Sequence, residues 1–242
     1  HSTYRYDELP SWEYEWIDGA TVGTALPDRP GGLASEGYID VQLPEPFTFY
    51  SRPVTIAHVY ENGYLTFNDE FGEASANTQL PSPGGSPPNG ALYPYWDDLE
   101  WAIILVAAQP DAPQEDVFGT IYTAQVDDWY VIEYERYWSE TSMENTETFE
   151  VLLNLETGEI RYQYDTINHD VGSATIGLES WSDFNPIDGV QVGFNDANAA
   201  SSGMGYRFIP VPPQPSKLYS VSVDSTMESI GFLLTGYSGD IA

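Results

Sequence analysis

Apolar and polar residues alternate with a period of two in one segment after another. That period belongs to β-strands rather than helices. Residues 38–43 read Y-I-D-V-Q-L, which sets Tyr38, Asp40 and Gln42 on one face against Ile39, Val41 and Leu43 on the other. Residues 54–60 and 63–67 flank a turn at Glu61-Asn62, residues 119–126 and 129–138 flank Asp127-Asp128, and residues 148–154 and 159–164 flank Glu156-Thr157-Gly158. These turn residues tolerate left-handed backbone, so each pair of segments reads as a hairpin. Residues 174–179 and 189–194 add two more strands. No long segment has a period of 3.6, so helix content is expected to be low. At most one short helix would fall near residues 101–108, a run that suits a buried strand equally well. Short strands at such spacing with Gly, Pro, Asn and Asp between them predict an all-β chain folded as an antiparallel β-sandwich.

A chain of 242 residues is long enough for one large domain of this kind. It carries 38 acidic residues against 7 basic ones, with Lys217 the sole lysine, for a net charge of -31. An acidic tail of that charge would be poor in aromatics, but aromatics make up 14% here, so a packed fold is expected rather than disorder. Such a surface repels nucleic acid and anionic lipid, so no nucleic-acid partner is expected and anionic lipid is a poor one. It attracts divalent cations and basic proteins, or simply keeps the chain soluble. The absence of cysteine removes thiol, iron–sulfur and zinc-thiolate chemistry. No apolar run approaches the roughly 18 residues of a membrane span. The longest is A-I-I-L-V-A-A at residues 102–108. The opening H-S-T-Y-R-Y lacks the basic and apolar regions of a leader peptide.

Residues 1–208 are read as the sandwich, with an apolar-then-acidic insertion near 100–116. The stretch I-P-V-P-P-Q-P-S-K at residues 209–217 is read as an extended proline-rich linker. Residues 218–242 alternate again, as a strand-rich tail or the start of a second domain. Two strands cannot bury a core alone, so Val221, Val223, Phe232 and Leu234 are candidate interface residues that would fill pockets in a neighbouring subunit by strand addition. Ile103 and Leu105 in the insertion are candidates for either a buried strand or a subunit contact.

Several segments taken in order resemble the nidogen-like (NIDO-type) extracellular β-sandwich. They are P-F-T-F-Y at residues 46–50, E-N-G-Y-L-T-F at 61–67, Y-W-D-D-L at 95–99, F-E-V-L-L-N at 149–154, G-E-I-R-Y-Q-Y at 158–164 and A-T-I-G-L-E at 174–179. Related modules occur in large bacterial secreted and surface proteins, including regions beside subtilisin-type protease domains. The resemblance implies a non-catalytic module at an extracellular or cell-surface location. It implies no fixed ligand, so it assigns no binding residues.

The acids after the Y-W-D-D motif are the candidate metal ligands. Asp97, Asp98 and Glu100, with Asp69 brought near by the resemblance, would offer carboxylate oxygens to Ca²⁺, the one cofactor to which the sequence points. Catalysis is not expected. A Ser-His-Asp triad would need His1, His58 or His169, and no serine lies in G-x-S-x-G. With so many acids, some carboxylate pair will have glycosidase spacing by chance. Tyr4, Tyr6, Trp12, Tyr14 and Trp16, and then Tyr134, Tyr137 and Trp138, cluster as core pairs or as a sugar-stacking face. The function expected is a structural or adhesive module, assembling through its C-terminal strands with other protein subunits as a homo-oligomer or filament. The alternatives are an accessory domain of a larger secreted hydrolase, such as a protease, and a carbohydrate-binding module.

Overall fold

The computed structural model describes residues 3–26, 37–68, 74–82, 88–100, 102–106, 114–139, 145–168, 171–184 and 186–213. Two antiparallel sheets pack face to face. The eight-stranded sheet runs in the order β1 (Thr3–Glu8), β16 (Met204–Val211), β13 (Ile160–Thr166), β12 (Thr146–Asn154), β11 (Trp129–Ser139), β10 (Thr120–Val126) and β2 (Thr24–Ala25), with β7 (Leu99–Glu100) pairing with the far end of β11. The six-stranded sheet runs β15 (Gly189–Phe194), β14 (Thr175–Glu179), β6 (Ala91–Trp96), β5 (Tyr64–Thr66), β4 (Arg52–Tyr60) and β3 (Tyr38–Phe49). The chain is thus the all-β sandwich that the alternation predicts. Its one α-helix among the described residues is the single turn α1 (Gly19–Val22), away from the position where a helix was allowed. The apolar run forms instead β8 (Ala102–Val106), which pairs with β9 (Gln114–Phe118) in a separate two-stranded sheet containing Ile103 and Leu105.

The hairpins follow from local chemistry. Val126 pairs with Trp129 across a two-residue turn in which Asp127 adopts φ 52°, a conformation a short polar side chain tolerates. In the turn between β12 and β13, Asn154 Oδ1 accepts from the Thr157 amide at 2.8 Å and Gly158 takes φ 75°. The turn between β4 and β5 depends on Gly63, at φ 72°. A Cβ there would lie 1.9 Å from the Tyr95 carbonyl oxygen, which no side chain allows. This close approach joins the E-N-G and Y-W-D-D motifs: the Tyr95 amide donates to the Gly63 carbonyl and the Asp97 amide to the Asn62 carbonyl.

The inner faces make one core that includes Val41, Phe49, Val59, Leu65 and Ile176 from one sheet and Ile132, Phe149, Val151, Leu153 and Phe208 from the other. Tyrosines of the eight-stranded sheet cross it and spend their hydroxyls on backbone carbonyls opposite. The Tyr134 hydroxyl lies 3.0 Å from the Tyr60 and Tyr64 carbonyls, Tyr162 donates to Gly177 at 2.8 Å, and Tyr164 donates to Pro94 at 2.8 Å. Burial pushes all three phenols well above their ordinary range, so they serve as donors throughout physiological pH. Pro94 cannot donate to a ladder, and it sits where the β14–β6 register shifts between Thr175 and Gly177.

The sandwich belongs to the first of two compact units, His1–Pro212; the second is Pro213–Ala242. β16 extends through Val211, so Ile209, Pro210 and Val211 pair with β1 rather than starting a linker. Val221, Val223, Phe232 and Leu234 lie outside the described residues. Among the described residues no helix is long and apolar enough to cross a membrane.

Candidate functional site

The outer face of the eight-stranded sheet carries a row of polar side chains. Strand pairing sets Tyr122, Glu133, Glu150, Gln163 and Gly205 side by side across β10, β11, β12, β13 and β16. The segment between β1 and β2 runs over this row as a strap. Leu9 is anchored through its amide to the Gly205 carbonyl. The amide of Glu15 then donates to Gln163 Oε1 at 2.9 Å, that of Ile17 to Glu150 Oε1 at 3.3 Å, and that of Gly19 to Glu133 Oε2. The alternation of the strap itself points every second amide at the sheet. Gln163 completes the row by donating its side-chain amide to Glu150 Oε1 at 2.6 Å and to the Glu15 carbonyl at 2.7 Å.

The strap covers the acids almost completely. Glu133 is 2% exposed and Glu150 is 0% exposed. Beneath Ile17 lies a small apolar pad of Ala124, Val131 and Leu152 beside Trp129. Gly19 is required by the close seat: a Cβ would lie 2.5 Å from Glu133 Oε2 and 2.7 Å from the Tyr122 Cβ. Two arginines share this face but are engaged elsewhere. Arg207 pairs with Glu13 at 3.0 Å, and Arg161 pairs with Glu159 at 2.7 Å while lying over the Trp129 ring. Desolvation pushes the Glu133 carboxyl up to about 7, against the opposing pull of the Gly19 amide, with Glu135, Asp18 and Asp165 adding to the rise. Glu150 is raised well above the carboxylate range by burial, and its Oε2 has no hydrogen-bond partner among the described residues.

The opposite outer face, on the six-stranded sheet, is covered by residues 74–82. Here Tyr60, Tyr64, Tyr93 and Trp96 form an aromatic pad with Leu80 and Ala91. Trp96 Nε1 donates to the Ala74 carbonyl at 2.9 Å. Asn77 reaches Thr175 Oγ1 at 3.0 Å, and the Leu80 amide donates to Gln191 Oε1 at 2.9 Å. One acid lies at the end of this cover. Glu179 accepts from the Ser82 amide at 2.7 Å and hydroxyl at 2.9 Å, and burial raises it to about 7.

The residues singled out in the sequence are placed as follows. Asp97 is buried, with Oδ1 accepting from the Asp98 amide at 2.9 Å and Oδ2 from the Ser173 hydroxyl at 2.7 Å. Glu100 Oε2 accepts from Trp138 Nε1 at 3.1 Å, and Asp69 lies outside the described residues. Among the described residues no three His, Asp or Glu side chains are grouped to hold a metal. His58 packs in β4 with Nδ1 2.6 Å from Asp40 Oδ1 on β3. Tyr4, Tyr134, Tyr137 and Trp138 are buried, whereas Trp12 on the strap is 80% exposed. Sequence reasoning missed Glu133 and Glu150. Their signal is a single acid at an outward position within an otherwise apolar run, V-I-E-Y and F-E-V-L.

The fold and its two covers define a two-sheet antiparallel sandwich module whose motif residues serve the fold itself. A family model described as NIDO related matches residues 4–219, and the chain belongs to that family. Neither the curated proteins nor the solved structures give a match to the chain.

Proposed function

We propose that this chain is a non-catalytic structural or adhesive module of the extracellular space or cell surface, assembling with other protein subunits through residues 218–242. The observation that carries the reading is membership of the NIDO-related family along most of the chain. The polar residues of its motifs support it. Asp97 gives both carboxylate oxygens to neighbours in the fold, which suits a scaffold better than a reaction centre. Strand addition supplies affinity through main-chain bonds and specificity through alternate side chains. Val221, Val223, Phe232 and Leu234 would be those side chains.

Light scattering on the full chain and on a chain ending at Pro213 tests the assembly, and adding Ca²⁺ to each tests the calcium reading of Asp97, Asp98, Glu100 and Asp69. A multimer that needs residues 214–242 supports the reading. A monomer in every condition removes the assembly and leaves a display module. Protease treatment of intact cells tests the location, with release of peptides from this chain as the expected result.

A further inference from the structure

The strap is held by an arrangement that depends on the protonation of two side chains. Glu133 and Glu150 are cross-strand neighbours, so their Cβ atoms lie on the order of 5 Å apart. Both are covered by residues 15–19, and both accept strap amides. The titratable and charged groups around them are Tyr122 from β10, Glu135 on β11, Asp165 on β13, and Tyr14 and Asp18 of the strap. The arginines of this face are tied to Glu13, Glu159 and Asp7. Two buried like charges on adjacent strands repel, and each resists ionisation without water or a cation. Lifting the strap would hydrate both.

We propose that Glu133 and Glu150 form a proton-controlled clasp, which keeps residues 15–19 seated while the pair is protonated and loosens them as the pair ionises, beginning with Glu133. In the unfolded chain a glutamate ionises near pH 4.3, about. In the seated strap Glu133 ionises at about 7. A folded value raised above the unfolded one means that the stabilisation is full below the lower value and is lost as pH rises through the upper one. The strap therefore seats tightly in mild acid and loosens above neutrality. Loosening would uncover the pad of Ala124, Val131 and Leu152 and the ends of the strap at β1 and β2. That gives an all-β module a pH-dependent face without changing its core.

Amide hydrogen exchange on the full chain, at about pH 5 and pH 8.5 and expressed as protection factors, tests the clasp. The expected result is at least a tenfold loss of protection at Glu15, Ile17 and Gly19 at the higher pH, while Val151 and Leu153 of β12 hold theirs. The double variant E133Q/E150Q keeps the strap amides protected at both pH values. Equal protection at both pH values in the wild type overturns the proposal, as does a loss shared equally by β12 or one that persists in the double variant. If the double variant does not fold, the carboxyl carbon shifts of Glu133 and Glu150 decide in the wild type. Titration of both below pH 5 overturns the clasp, and a midpoint near 7 for Glu133 supports it.

Discussion

The two outer faces of this sandwich are both covered by irregular chain, and the covers are held in opposite ways. On the six-stranded sheet the chain lies over an aromatic pad of Tyr60, Tyr64, Tyr93 and Trp96, tied mostly through neutral partners and at one end through Glu179. On the eight-stranded sheet the apolar pad is small, and the strap amides end on two carboxyls. The first kind of attachment feels pH near neutrality only at its Ser82 end, where Glu179 is raised to about 7. The second feels it along the strap, because a carboxyl under cover changes the sign of its contribution when it ionises. The two faces teach that burial and electrostatics can be weighted differently on the two sides of one domain, so that one cover rests mainly on aromatic packing and the other mainly on buried carboxyls.

The sharpest way to break the comparison is Trp96→Ala. It removes a fully buried ring and its bond to Ala74, and should lower stability by roughly 3–5 kcal/mol, by about the same amount at pH 5 and pH 8. Chemical denaturation at both values measures it, and a strongly pH-dependent loss would erase the distinction between the covers. Next comes the pH dependence of the wild type. With Glu133 raised to about 7, ionisation at pH 8 should remove up to about 3 kcal/mol relative to pH 5. That difference should shrink in E133Q to the part that Glu179, also raised to about 7, contributes. Gly19→Ala places a methyl group against Glu133 and Tyr122. It should destabilise by about 1–3 kcal/mol and lower strap protection first. The smallest effect is that of Ser82→Ala. It deletes one of two donors to Glu179, at about 1 kcal/mol, and should move that carboxyl further up, since the lost bond favours the ionised form. A carboxyl titration of the variant checks the direction.

Most of the fold was legible because alternation and turn chemistry are local. Val41 and Leu43 point inward and Tyr38, Asp40 and Gln42 are exposed, as the alternation predicts. The Asp127-Asp128 and Glu156-Thr157-Gly158 hairpins fall where the turn residues place them. The motifs E-N-G and Y-W-D-D carried the family resemblance, and the structure brings them together through Gly63 and Tyr95. The strap was not legible. Residues 9–18 have neither strand nor helix character of their own, and their position is set by partners more than a hundred residues away. An acid at an outward strand position reads as solvent-facing unless that cover is known, which is why Glu133 and Glu150 passed unnoticed. The sequence leaves Trp12, Tyr14 and Trp16 as either core pairs or a sugar-stacking face for the same reason. Tyr14 instead lies on the strap and donates to the Tyr164 carbonyl at 3.1 Å.

One stretch near the start of the chain supplies both margins of the eight-stranded sheet, β1 at one side and β2 at the other. β1 pairs in register with β16, Thr3 opposite Val211. During synthesis the earliest strand therefore has no partner until almost the whole domain has left the ribosome. Pairings so distant in sequence form slowly, because the loop must close before any contact rewards it. The strap segment must wait, solvated by its own carboxylates, while the hairpins of the centre assemble without it. It then completes the domain last, as a latch drawn across a finished box.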